Sequence, residues 1–91
     1  MTTPAVTVYT GSFCGYCTRA LSLLERRGIA HAEISVEYHP GLREELLAKS
    51  GRRTLPQIFV GERYIGGADE LAAMDRSGEL LKLIQARNDD G

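Results

Sequence analysis

The chain has 91 residues, 43% of them hydrophobic and 25% charged, with a net charge of −1 at neutral pH. That balance describes an ordinary soluble globular domain, and its eleven Lys and Arg are scattered, so neither nucleic acid nor a membrane surface is an indicated partner. No apolar run approaches the roughly 18 residues of a membrane span, and residues 1–5 lack the basic and apolar regions of a signal peptide. The expectation is one cytoplasmic domain over residues 1–91 with a core of about 5–87.

Residues 5–9 are few and almost wholly strand-favouring, which predicts a buried central strand. A turn over 10–13 leads into a helix from about Cys14 to Arg27, with Gly28 as its C-cap. Cys17, Ala20, Leu21 and Leu24 fall on one face of that helix, at spacings of three and four. Residues 31–37 alternate polar and apolar, the pattern of a half-buried strand at a sheet edge. Pro40 is placed to open a helix over 41–49 that Ser50 and Gly51 end. Glu44 and Glu45 early in that helix and Lys49 late in it suit the helix dipole, and Leu42 and Leu46 give it an apolar edge.

Residues 57–60 and 63–65 flank the pair Gly61-Glu62. Glycine at the first position of a two-residue loop predicts a type II′ hairpin, hence antiparallel strands. Gly66 and Gly67 break the second strand, and Asp69 reads as the N-cap of a helix over 70–75. Ser77 and Gly78 interrupt it, residues 79–87 resume it, and 88–91 read as a frayed tail. The order β-α-β-α-β-β-α implies an α/β fold with a four-stranded mixed sheet flanked by helices.

The two cysteines of the chain, Cys14 and Cys17, stand two residues apart at the junction of the first strand and first helix. A Cys-x-x-Cys at such a junction is the signature of thiol–disulfide chemistry. The reactive species is the thiolate, and a free cysteine with pKa near ~8.5 is mostly protonated at neutral pH. At a helix N-terminus Cys14 meets unpaired N–H groups and the positive end of the dipole, both favouring S⁻. Cys17, one turn on and facing the core, is within reach of Cys14 but poorly placed to meet a bulky substrate. Cys14 is therefore the attacking thiol and Cys17 the resolving one.

Other uses of these residues fit less well. A disulfide closing so small a loop stabilises little, and inert core thiols have no need of a helix tip. A zinc site from Cys14, Cys17, His31 and His39 would need a shorter His–His spacing, with His31 on a helix. Nothing marks the partner histidine or oxyanion hole of a Cys–His hydrolase.

From about residue 5 to 84 the chain resembles a dithiol glutaredoxin of the small bacterial type, within the thioredoxin superfamily. The resemblance is carried by Cys14-Gly15-Tyr16-Cys17, by residues 51–60 with Thr54-Leu55-Pro56 at their centre, and by residues 65–71 with Gly67-Ala68-Asp69. It implies a thioredoxin-like fold and a glutathione-dependent thiol–disulfide oxidoreductase that reduces protein–glutathione mixed disulfides and protein disulfides. It also implies a cis bond between Leu55 and Pro56, facing the cysteines. Glutathione is then expected to extend along the Leu55 backbone beside Tyr16 and Thr54. One of its carboxylates would lie at the N–H groups of Gly67 to Asp69, its ammonium at the Asp69 side chain, and its other carboxylate at Arg43.

Two positions depart from the family pattern. Gly11 stands where many relatives have a lysine that lowers the thiol pKa, so that role is vacant or falls to Arg43. Gly15 stands where most dithiol relatives have proline, and some relatives without that proline hold a [2Fe–2S] cluster between two subunits. The alternative to the enzyme is thus a cluster carrier, dimeric when loaded, with Cys14 and glutathione as ligands. A further alternative is a hydrogen donor, for instance to ribonucleotide reductase, that draws on thioredoxin reductase. The enzyme reading takes glutathione and disulfide-bonded or glutathionylated proteins as partners, and the protein as a monomer.

Overall fold

Val6 and Val8 send their side chains to one face of a sheet and Tyr9 to the other, and that alternation organises the molecule. In the computed structural model, which describes residues 4–90, β1 (Val6–Thr10) lies in the interior of a four-stranded sheet. It pairs in parallel with β2 (His31–Ser35), Val6 opposite His31, and antiparallel with β3 (Gln57–Val60), Val8 opposite Ile58. β3 turns back into β4 (Arg63–Gly66), giving the order β2-β1-β3-β4. The hairpin loop behaves as expected: Gly61 has φ 62° and Glu62 is not in the positive-φ region, as a type II′ turn requires.

α1 (Gly15–Arg26), α3 (Ala68–Ser77) and α4 (Glu79–Asp90) cover the face that carries Val6 and Val8. Leu24, Ile58, Leu71 and Leu80 are fully buried there, each worth roughly 1.5–3 kcal/mol relative to exposure. α2 (Leu42–Ser50) covers the other face through Leu46, which packs with Val36 and Phe59. The Phe59 ring meets Tyr9 edge-on with 5.5 Å between centroids, a favoured aromatic geometry. This is the thioredoxin-like arrangement that the resemblance implies. Among the described residues no helix is long and apolar enough to cross a membrane.

Several local expectations change. β2 ends at Ser35, and Val36–Tyr38 form a 3-10 turn in place of two further strand residues. The Ser35 hydroxyl accepts the Glu37 N–H at 3.3 Å, a local bond that competes with strand pairing. Pro40 does not open α2. Its N-cap is Gly41 with φ 84°, a left-handed conformation that proline cannot adopt. Gly28, with φ 67°, follows the α1 C-cap, which is Arg27. Asp69 is the second residue of α3, whose N-cap is Gly67. There the Glu70 carboxylate accepts the Gly67 N–H at 2.7 Å, the reciprocal half of a capping box. The tail assigned to 88–91 is helical through Asp90. Gly91, and residues 1–3 of the segment read for a signal peptide, lie outside the described residues.

Candidate active site

The chain leaves β1 at Thr10 and enters α1 at Gly15, and the four-residue turn between them sets Cys14 at the helix tip. Cys14 is the N-cap of α1, with an extended backbone (φ −107°, ψ 101°). Its sulfur occupies the place a serine or aspartate oxygen usually takes, accepting the Cys17 N–H at 3.1 Å. Cys17 is 3% exposed, on the core face of α1 with Ala20 and Leu24, whereas Cys14 is half-buried at the rim. The two are joined as a disulfide, with 5.2 Å between their Cα atoms.

Phe13, just before the pair, has φ 54° and a fully exposed ring. A non-glycine residue in the left-handed region costs roughly 1–2 kcal/mol. Tyr16 projects on the same turn, 56% exposed, with the Arg19 guanidinium 5.6 Å from its ring centroid, within cation–π range.

The second wall comes from the segment before β3. The Leu55–Pro56 bond is cis, and the Leu55 carbonyl oxygen lies 3.7 Å from Cys14 Sγ. Gln57, buried at the start of β3, anchors this segment by donating Nε2–H to the Arg52 carbonyl at 2.8 Å. Thr54 beside it is exposed and Pro56 buried. Pro56 also adjoins the start of α3: a Cβ placed on Gly67 would lie 3.4 Å from the Pro56 carbonyl oxygen. Gly67 and its neighbours Ala68 and Asp69 thus adjoin the Leu55–Pro56 segment, with Asp69 exposed.

Between these walls is an open groove of about 650 Å³ whose lining includes Gly11, Cys14, Tyr16, Glu37, Arg43 and Leu55. Cys14, Tyr16, Leu55 and Arg43, separated by up to 41 positions in the chain, therefore share one cavity. Thr54, Pro56 and the Gly67–Asp69 segment stand outside its lining, connected to it through Leu55. Arg43 is not free. Its guanidinium donates to Glu37 Oε1 at 2.9 Å. Glu37 is the residue the sequence reading missed, because the alternating pattern placed it in a strand as one more outward polar residue. His31 and His39 stand apart from this lining, and the His31 Nδ1 lies 2.8 Å from the Ile29 carbonyl oxygen. Among the described residues no cluster of three His, Cys, Asp or Glu is disposed to hold a metal ion.

The sequence model of the family described as Glutaredoxin matches residues 6–65, from β1 to the second strand of the hairpin. The chain belongs to the glutaredoxin family. It is 46% identical to "Glutaredoxin" of Pseudomonas aeruginosa over 83 residues, covering 91% of this chain and 99% of that protein. "Glutaredoxin 3" of Escherichia coli K12 is 41% identical over 80 residues, covering 88% of this chain and 96% of that one. The fold is similar to the crystal structure of a buckwheat glutaredoxin–glutathione complex, with a TM-score of 0.84 at 28% identity, covering 91% of this chain and 78% of that one. This glutaredoxin is therefore a thiol–disulfide oxidoreductase with a Cys14–Cys17 pair at its redox centre, and the family uses glutathione.

Proposed function

We propose that this glutaredoxin reduces protein–glutathione mixed disulfides and protein disulfides, with Cys14 as nucleophile and Cys17 as resolving thiol. The reading rests on one asymmetry: Cys14 Sγ sits at the groove and receives the Cys17 N–H, while the Cys17 side chain is buried behind it. In the reduced protein the Cys14 thiolate attacks the glutathione sulfur of a mixed disulfide. The S–S bond breaks, the protein thiolate leaves and takes up a proton, and glutathione is left on Cys14. A second glutathione thiolate attacks that glutathione sulfur, releasing glutathione disulfide and the Cys14 thiolate. With a protein disulfide, Cys14 forms the mixed disulfide and Cys17, losing its proton, displaces the substrate thiol. The product is the Cys14–Cys17 disulfide, which two glutathione molecules reduce.

Glutathione would lie extended against the Leu55 backbone, between Thr54 and Pro56 on one side and Tyr16 on the other. The helix start at Gly67, Ala68 and Asp69 would receive its ammonium-bearing end, and Arg43 its other carboxylate. Glutaredoxins have potentials near about −200 to −230 mV against about −270 mV for thioredoxin, a gap of roughly 2–3 kcal/mol that suits glutathione as reductant.

Turnover of a glutathione mixed disulfide and of a protein disulfide by single variants tests the roles. Cys17→Ser keeps the first activity and loses dithiol reduction of the second, and Cys14→Ser loses both. Loss of both in Cys17→Ser overturns the assignment. Protein purified anaerobically with glutathione is expected to be colourless and monomeric. A brown dimer would favour the cluster-carrying alternative.

A further inference from the structure

We propose that Glu37 is a specificity-determining residue that competes with the substrate's carboxylate for Arg43. This deepens the glutathione reading, on which it rests for Cys14 as the reacting thiol and Arg43 as the anion-binding cation.

The geometry carries the proposal. Glu37 sits in the 3-10 turn after β2, its N–H held by the Ser35 hydroxyl at 3.3 Å, so the turn presents its side chain towards α2. Its Oε1 accepts from Arg43 at 2.9 Å, and both residues line the groove that contains Cys14. The same Oε1 is 3.8 Å from where a Cβ on Gly11 would stand, so it borders the opening left by the missing side chain. The other charged residues lining the groove, Arg19, Arg43 and Arg53, are cations, and Glu37 is the one acid among the described residues that line it. An incoming carboxylate must therefore share the five-donor guanidinium of Arg43 with Glu37 or displace Glu37 from it, and in either case sits beside a like charge.

The pair is suited to such an exchange. The Arg43 and Glu37 side chains are 57% and 41% exposed, and exposed ion pairs are weak enough to open readily, shifting affinity by up to about five-fold. Glu37 thus lowers affinity for every carboxylate-bearing ligand in the groove without touching the sulfur chemistry. Neutral ligands pass it unaffected.

The test uses two alkylating probes of the reduced Cys17→Ser protein, iodoacetate, which is anionic, and iodoacetamide, which is neutral. Glu37→Gln should raise the iodoacetate-to-iodoacetamide rate ratio at Cys14 by about two- to five-fold. Arg43→Gln should lower it below wild type, and adding Glu37→Gln to Arg43→Gln should restore little. Glu45→Gln, which removes an equal charge from a carboxylate 3.5 Å from Lys49 on α2, should leave the ratio unchanged. With a glutathione mixed disulfide, Glu37→Gln in the full dithiol protein should lower KM by a similar factor at unchanged kcat. An unchanged alkylation ratio in Glu37→Gln overturns the proposal, as does a full gain in the Arg43→Gln background or with Glu45→Gln. Absence of glutathione turnover in the wild-type protein would instead overturn the functional reading, and the alkylation ratio would still report on the pair.

Discussion

The backbone N–H of Cys17 donates to the sulfur of Cys14 across 3.1 Å. One cysteine thereby caps the helix that carries the other. A thiolate at Cys14 accepts that N–H more strongly than a thiol does, because a charged acceptor strengthens a hydrogen bond. The remaining unpaired N–H groups of the first turn of α1 add the positive end of the helix dipole.

Reduced Cys14 should consequently titrate below the ~8.5 of a free cysteine. Folding then favours the thiolate, so this contribution to the stability of the reduced protein is full above the unfolded pKa and fades as pH falls through the lower folded one. The rate of iodoacetamide alkylation against pH, taken on Cys17→Ser, locates the midpoint. With no lysine at position 11 the depression should be modest, and a midpoint near ~4, in the range of the most acidified helix-tip cysteines, would contradict this account.

Gly11 offers a gain-of-function test of that vacancy. A Cβ at this position would stand 2.7 Å from Leu55 Cδ1, a contact that rotation of the flexible Leu55 side chain relieves. Gly11→Lys should lower the Cys14 midpoint by up to roughly 0.7 unit, the pKa equivalent of the ~1 kcal/mol available to an exposed charge pair. Gly11→Met displaces Leu55 in the same way without charge and should leave the midpoint in place. Equal shifts in the two variants would assign the effect to packing.

At the start of α3, Glu70 accepts the Gly67 N–H at 2.7 Å, and this bond holds the turn that follows β4. Glu70→Ala should cost about 0.5–1 kcal/mol, the ordinary worth of a cap. In a domain of this size that is a fall in Tm of roughly 2–8 °C. Glu70→Gln retains the acceptor and should recover most of the loss. The preceding glycine is less replaceable, because Gly66 has φ 123° and a Cβ there would meet the Glu70 side chain at 2.6 Å. A thermal melt in which Glu70→Gln falls as far as Glu70→Ala would show that the cap is not the cause.

The sequence by itself determined what depends on near neighbours. A β-favouring run specifies β1, and Gly61 specifies the hairpin. Apolar spacing of three and four places Cys17, Ala20 and Leu24 on the buried face of α1, where Leu23 joins them and Leu21 is only half-buried. The motifs around Cys14, Pro56 and Gly67 were likewise legible, because each is contiguous. Cap assignments were read less well. Pro40 and Asp69 have the right residue types for helix starts, yet Gly41 and Gly67 take those places, since the preceding chain must arrive at an angle that only the three-dimensional path defines.

Tertiary structure alone decided which distant groups share the groove. Leu55 approaches Cys14 because β3 pairs with β1 in a register that sets Gln57 opposite Tyr9. Glu37 meets Arg43 because a 3-10 turn replaces the end of β2. That contact joins two elements across six positions and leaves no periodic trace in the chain. Cys14 at the helix tip was thus readable from local chemistry, whereas the Glu37–Arg43 pair beside it in the groove emerged only from packing.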